Sequence, residues 1–490
     1  MNKQPNIPIL LVVLAFLAGC AQYDKRQSNE QGAEKSEKPL NVLFIAVDDL
    51  RPQLNCYGDS LSVSPNIDAL AANGLLFERA YCQQAVCSPS RTSLLTGLRP
   101  DSTRIYDLET HFRKTTPDVV TLPQHFKQNG YHTEWYGKIF HAALLDSISW
   151  TEQGERFEPE SNWRAYVLEE SNRVADGNTG RGPAFERADV PDNAYPDGKI
   201  ADSAIEALKR LKEGEKPFFL AVGFYKPHLP FNAPKKYWDL YDPAAIRLPE
   251  AMAPPENVPE LALTNWGELR SYAGIPPKGD LSKEQSLQLI HGYRACVSYT
   301  DAQVGRLMKE LKRQGLDKNT IVILWGDHGW KLGDYGMWAK HTNFEIDAQA
   351  PLIVSVPGMK SKGRKTKALV EFVDTYPSLC EAAGLSKPRH LQGTSFMPLL
   401  EDAELPWKQA AFSQYPRGNV MGYSMRTARY RFTRWQKRTA PFDAVALELY
   451  DLQKDPKGLV NIAGNPESAK TIREVTEIMQ KSKAGMAKVQ

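Results

Sequence analysis

Apolar positions along this chain fall into short continuous runs that alternate with stretches of helical spacing. Residues 41–47 form an unbroken run of β-formers, the pattern of a strand covered on both faces of a parallel sheet. Further strands are predicted at 131–136, 217–224, 320–325 and 350–356. Between them lie predicted helices. One opens at Pro65-Asn66, runs to residue 72 and is stopped by Gly74. Another is capped by Thr121 and runs through Gln128. Others cover 200–212, 283–314 (with Gly292 or Gly305 as points of interruption) and 370–383, ended by Gly384. Strands alternating with helices predict an α/β sandwich with a large, mostly parallel central sheet. The pattern fades over 146–196 and 242–279. Loops this long in a compact domain are usually functional, so both are expected to wall a pocket. After about residue 405, antiparallel strands at 411–414, 423–435 and 447–452 and a helix at 468–481 predict a smaller C-terminal α+β subdomain. The expected organisation is a catalytic domain over 40–408 and this subdomain over 409–490.

The N-terminus has a different character. Residues 7–19 are apolar behind Lys3 and too short to span a bilayer, which needs about 20 residues. The run ends Leu17-Ala-Gly-Cys20, which resembles the lipobox of bacterial lipoproteins. That resemblance implies a signal peptide at 1–19, lipidation of Cys20 and a flexible tether over 20–39. It implies a protein anchored in the bacterial cell envelope, for preference in the outer membrane; an ordinary signal peptide is the alternative. Lys+Arg 61 against Asp+Glu 58 gives a net charge of +3, which argues against a nucleic-acid partner. The 6 cysteines show no spacing that signals a zinc site or a disulfide framework, and their pairing stays open.

Candidate chemistry sits where strands end, the usual ligand position in open α/β sheets. Asp48-Asp49 follow the first strand, Lys138 and His141 the strand at 131–136, and Asp327-His328 the strand at 320–325. Carboxylates from separate strands suit a hard cation such as calcium or magnesium, and a single histidine does not make a zinc site. The string Cys87-Ser-Pro-Ser-Arg91-Thr-Ser-Leu-Leu-Thr-Gly97 sets a thiol and an arginine at a predicted helix start, where anions are favoured. A buried cysteine before a capped helix would read the same way.

That string, however, matches the C-x-P-S-R signature of sulfatases. From Asn41 to about Val460 the chain resembles the type I, formylglycine-dependent sulfatases, and most closely their iduronate-2-sulfatase branch. The resemblance also rests on Gly137-Lys138-Ile-Phe-His141, Lys226-Pro-His228-Leu-Pro-Phe231 and 297–306. Asp327-His328-Gly-Trp330, Gly336-Met-Trp338-Ala-Lys340, Ser413-Gln-Tyr-Pro-Arg417 and 421–424 complete it. It implies an alkaline-phosphatase-like fold and conversion of Cys87 to formylglycine by a formylglycine-generating or anaerobic sulfatase-maturing enzyme. Asp48, Asp49, Asp327 and His328 would hold Ca2+ with the modified Cys87. Arg91 and Lys138 would hold formylglycine and sulfate, His141 would be the base, and His228 and Lys340 would face the leaving oxygen. Trp330 and Trp338 are candidates for stacking on a sugar, or for packing the loop.

The substrate implied is a sulfated glycan, with the 2-O-sulfate of a terminal iduronate or other uronic acid preferred. A sulfated algal polymer such as ulvan is an alternative. So is a phosphodiester or phosphonate substrate of the same superfamily. A non-catalytic glycan-binding lipoprotein is the alternative of another class.

Overall fold

The computed structural model describes Met1 and residues 39–141, 143–155, 165–178 and 180–487. The signal segment, Cys20 and the tether lie outside the described residues, save Met1 and Pro39. Residues 40–490 make one compact unit. Its strands, in chain order, are β1 (Asn41–Val47), β2 (Leu75–Phe77), β3 (His132–Gly137), β4 (Phe218–Phe224), β5 (Thr320–Gly326), β6 (Leu352–Ser355) and β7 (Arg364–Thr366). They form a seven-stranded sheet in the order β7-β2-β6-β5-β1-β4-β3. The four strands β5-β1-β4-β3 are parallel, and β6 runs antiparallel to both β5 and β2.

The uninterrupted apolar run of β1 is explained by cover on both faces. Leu43, Ile45 and Val47 pack with helices α4 (Pro196–Lys212) and α5 (Lys283–Arg313) on one side. Val42, Phe44 and Ala46 pack on the other with α2 (Cys87–Thr96), α3 (Leu122–Gln128) and α6 (Thr375–Ala382). Alternate residues of a strand point to opposite faces, so one seven-residue string feeds two cores. Helix α1 (Pro65–Asn73) lies on the α4–α5 side. Beyond residue 409, β8 (Ala410–Arg417), β9 (Val420–Thr427), β10 (Tyr430–Lys437) and β11 (Ala440–Asp451) form an antiparallel meander, followed by α7 (Ala469–Ala487). Met425, Phe432 and Leu449 of that sheet meet Val475 and Met479 of the helix.

Several expectations are corrected. Helix α5 is continuous through Gly292 and Gly305. Both glycines mark close approaches instead: a Cβ on Gly292 would lie 2.8 Å from Trp238, and one on Gly305 2.2 Å from Asn66. The predicted helix at 370–383 starts only at Thr375. Val370-Glu371 are drawn into a short parallel pairing with Ala80-Tyr81, and a 3-10 turn follows. The stretch 423–435 is a hairpin of two strands that breaks at Ala428-Arg429. Helix α4 begins at Pro196, where proline costs nothing because the first N–H has no helical partner. The patternless 146–196 region contains a helix at Glu169–Asp176 and a strand at Phe185–Ala188, paired with Phe231–Pro234. All five described cysteines, Cys56, Cys82, Cys87, Cys296 and Cys380, are free thiols.

Candidate active site

The carboxyl ends of the four parallel strands lie level. Val47 of β1 is opposite Phe224 of β4 and Gly326 of β5, so Asp48-Asp49, Tyr225 to His228 and Asp327-His328 leave the sheet together. Gly137 at the end of β3 is opposite Gly223. Gly137 has φ +73°, and a Cβ on Gly223 would sit 2.0 Å from the Lys138 carbonyl oxygen. Two glycines are required for Lys138 to cross over β4 toward the site. Helix α2 opens at Cys87, with Val86 as its N-cap, and every residue of that helix is buried.

Arg91 ties this cluster together from below. Its Nε donates to Asp327 Oδ2 at 2.8 Å, its Nη2 to Asp48 Oδ1 at 3.0 Å and its Nη1 to the Ile139 carbonyl at 3.1 Å. The guanidinium is completely buried and lies 5.7 Å from the Trp325 ring centre. Ser90 Oγ donates to the Asp327 carbonyl at 2.5 Å. Cys87 Sγ lies 3.4 Å from His328 Nε2 and 3.9 Å from Asp49 Oδ1. Lys138 pairs with Asp48. Lys340 donates to both oxygens of Asp49, at 2.8 and 2.9 Å. Lys340 is only 2 % exposed, and its neighbours Ala339 and His341 both have positive φ, 63° and 83°. Asp49 does too, at 57°. Left-handed backbone at a non-glycine residue is costly, and three such residues around one lysine-carboxylate pair mark a position the fold enforces.

The electrostatics explain who is charged. Burial works to raise Asp48, but Lys138 and Arg91 overcome it and hold that carboxyl well below its ordinary range. Burial also raises Asp49, opposed by Lys340 and reinforced by Asp48, and carries it up to about 7. The Cys87 thiol is pushed well up by burial and by Asp48, against Lys138 and Lys340, so at neutral pH it stays protonated and is a poor nucleophile. Burial and the Lys138 charge push His141 down to about 2, leaving a neutral imidazole whose buried Nδ1 has no hydrogen-bond partner among the described residues.

These groups open into a cavity of 520 Å³. Cys87, Lys138, His141, His228 and Lys340 line one part of it, with Arg181, Tyr225, Glu268, Ser271, Tyr272 and His341 among the rest. The two patternless stretches supply Arg181 and Gly267 to Tyr272, so both do wall the pocket. A second cavity of 530 Å³, beside Arg51, Asp334 and Lys457, shares none of these residues.

Every sequence-predicted site residue except Cys20 and the two tryptophans converges here. Trp330 and Trp338, offered as sugar platforms, are only 1 % and 4 % exposed and do not line the cleft. Trp330 is enclosed by Phe231, His228 and the Lys340 ammonium, 4.8 Å from its ring centre, a setting that favours loop packing. The sequence reading missed Glu268. Its Oε1 is 3.0 Å from His228 Nε2, and its two oxygens are each 3.3 Å from Lys340 Nζ. Burial would raise Glu268, but Lys340 and His228 hold it well below its ordinary range. No motif flagged it, because it sits on a four-residue helix inside the aperiodic 242–279 segment.

A family model for sulfatases matches residues 40–385. The chain belongs to the sulfatase family. A second model, for the C-terminal part of N-sulphoglucosamine sulphohydrolase, matches residues 333–485 of this sulfatase. Iduronate 2-sulfatase of Homo sapiens is 36 % identical over 87 % of this chain and 92 % of its own. In fold, this sulfatase resembles the structure of BT4656 in complex with its substrate D-glucosamine-2-N,6-O-disulfate (TM-score 0.73, 23 % identity, 92 % of this chain and 99 % of that one). It equally resembles the phosphonate monoester hydrolase of Agrobacterium radiobacter (TM-score 0.74, 23 % identity, 91 % and 96 %). At that identity the two structures establish the fold alone, an alkaline-phosphatase-like sandwich. Family membership makes this sulfatase a sulfuric ester hydrolase.

The buried cluster fits a metal ion. Ligand atoms of Asp49, Cys87, Asp327 and His328 lie within 4.8 Å of one another. His328 Nδ1 is 2.9 Å from the Gly329 carbonyl oxygen, and its Nε2 lies 3.3 Å from Asp49 Oδ1 and 3.6 Å from Asp327 Oδ1. With Nδ1–H donating to that carbonyl, Nε2 offers a lone pair beside two carboxyl groups, a donor set suited to a cation. Among the described residues, Arg91, Lys138 and Lys340 are the fixed cations set against Asp48, Asp49, Asp327 and Glu268, so a divalent ion there would leave a net positive charge to meet a sulfate monoester.

Proposed function

We propose that this sulfatase removes the 2-O-sulfate from a uronic acid, iduronate for preference, at the non-reducing end of a sulfated glycan. The observation that carries the reading is the placing of buried Cys87 at the floor of a cleft walled by Lys138, His141, His228 and Lys340. The likeness to iduronate 2-sulfatase over nearly the whole of both chains supports the choice of sugar.

In this reading Cys87 is converted to formylglycine by a maturation enzyme of the host. When present, that residue supplies an aldehyde hydrate, one hydroxyl to attack sulfur and a second to expel sulfate. Asp48, Asp49, Asp327, His328 and residue 87 would hold Ca2+, which would offset the negative charge that gathers on the ester's oxygens. The chain's own groups do the rest. Arg91 bridges Asp48 and Asp327, so the two like-charged carboxylates are held close at a fixed spacing instead of moving apart. Lys138 and Lys340 present ammonium donors from opposite carboxylates toward the peripheral oxygens of the ester. His141, neutral at physiological pH, accepts a proton beside residue 87. Lys340 or His228, gathered on Glu268, delivers one proton to the departing sugar oxygen. The reading also includes a lipid anchor at Cys20, supported by the Leu17-Ala-Gly-Cys20 string.

The test is a panel of singly sulfated disaccharides, 2-O on terminal iduronate and 6-O on terminal glucosamine, together with a phosphonate monoester. Released sulfate or alcohol is measured by ion chromatography. The 2-O-sulfated uronate should exceed the others by about 100-fold or more in kcat/KM, the scale set by polar groups left unpaired with the wrong ligand. Equal or greater turnover of either competitor would overturn the assignment of substrate.

A further inference from the structure

The cleft contains a third, differently placed cation, Arg181. Lys138 and Lys340 are each committed to a carboxylate. The Arg181 side chain has no carboxylate partner among the described residues. Its Nη1 donates to Ser271 Oγ, and its guanidinium lies 5.7 Å from the Tyr272 ring centre. A guanidinium carries five N–H donors, and one is used here.

The backbone beneath it is fixed. Ala273 N donates to the Gly182 carbonyl at 3.0 Å, and Pro183 bridges to Ala273. Asn178 Nδ2 donates to the Arg181 carbonyl at 2.7 Å and reaches the Ser271 carbonyl at 3.3 Å. A Cβ on Gly182 would lie 2.8 Å from the Ser171 carbonyl oxygen, so glycine is needed for the Arg181 backbone to pack against the Glu169–Asp176 helix. The two rim segments are therefore stitched into one wall that holds a half-buried cation over the cleft. Ser271 Oγ in turn donates to the Glu268 carbonyl at 2.6 Å, which joins that wall to the residue touching His228 and Lys340.

We infer that Arg181, oriented by Ser271 and Tyr272, binds the carboxylate of the uronic acid and thereby selects acidic over neutral sugars. The inference rests on the reading of substrate above and adds the residue that enforces it. A uronate sulfate brings two negative charges. The metal cluster and its lysines meet one, and a planar guanidinium standing apart from them suits the other in bidentate fashion. Stacking on Tyr272 orients the guanidinium in advance, so less freedom is lost on binding.

Arg181→Gln and Arg181→Lys, each with formylglycine confirmed by peptide mass, test this on three substrates. These are the 2-O-sulfated uronate disaccharide, its uronate methyl ester, and the same disaccharide with an additional 6-O-sulfate on the second sugar. Arg181→Gln should raise KM for the free acid about 10–100-fold with a much smaller change in kcat, the signature of lost uniform binding. The wild-type preference for acid over ester should fall toward one, and Arg181→Lys should retain part of it. Equal losses on acid and ester would show a merely structural residue and overturn the inference, as would no change on either. A loss that follows the 6-O-sulfate instead of the carboxylate would overturn the choice of anion. 4-Nitrophenyl sulfate separates the two readings. Its turnover by wild-type protein without discrimination between acid and ester sinks only the role of Arg181. No sulfate release from any substrate sinks the proposed function, and this inference with it.

Discussion

Glu268 shows how one side chain shapes the chemistry around it. Its carboxylate touches His228, Lys340 and, at 3.5 Å, His341. Hydrogen bonds to charged partners are worth about 1.5–3 kcal/mol, so Glu268→Gln should lower kcat/KM about 10–100-fold. The residue is 18 % exposed at the cleft surface, so Tm should move little; loss of Tm without loss of turnover would contradict this placement. Glu448 is the contrasting case, a buried carboxyl that does not line the cleft. Trp435 Nε1 and Tyr450 Oη each donate to it at 2.7 Å, yet burial pushes it up from its ordinary 4.5 to about 7. A raised carboxyl favours the folded state while protonated. Its contribution is full below about pH 4.5 and is lost as pH rises through about 7. Glu448→Gln should therefore raise Tm relative to wild type at pH 8 and lose that advantage at pH 5. The opposite ordering, measured by calorimetry, would contradict the sign.

Among the elements, α5 tests whether packing or propensity governs. Helix propensity alone says that Gly292→Ala gains about 1 kcal/mol. The geometry says the reverse, because the new methyl would meet Trp238 at 2.8 Å and Phe231 at 2.9 Å. Overpacking costs about 1–3 kcal/mol, so urea unfolding should give a net loss; a gain would refute the close approach. The same helix carries Asp301, which accepts from the backbone N–H of Asn66 at 3.0 Å and of Ile67 at 2.7 Å and so caps α1 from a distant part of the chain. Such a cap has no local sequence signature. Thr121, whose Gln124 partner lies three residues on, was legible for that reason. Strand cores and short-range caps were readable because periodicity and spacing carry them. The start of α6 and the hairpin at 428–429 were not, because pairing with Ala80-Tyr81 and a two-residue turn override local preference.

In the whole molecule, four level strand ends bring Asp48, Lys138, His228 and Asp327 together from positions up to 279 residues apart. The fold class and most of the candidate site were legible because each group follows a strand or opens a helix within a motif. Glu268 and Arg181 were not, since their segments have no periodicity and reach the cleft only through tertiary contacts. The proposed lipid anchor at Cys20 belongs to this scale as well. Labelled palmitate should appear on the wild-type protein expressed in a bacterium and vanish in Cys20→Ser; an unlabelled wild type would refute the anchor. In the proposed reaction residue 87, once converted, performs sulfate-ester hydrolysis in the cation-lined cleft. The direct measurement is sulfate release from a 2-O-sulfated iduronate-terminated disaccharide, with formylglycine at position 87 established by peptide mass and Cys87→Ala run beside it. Release by the converted protein and none by Cys87→Ala is the predicted result. Equal release by both, or none from fully converted protein, would rule out hydrolysis at residue 87.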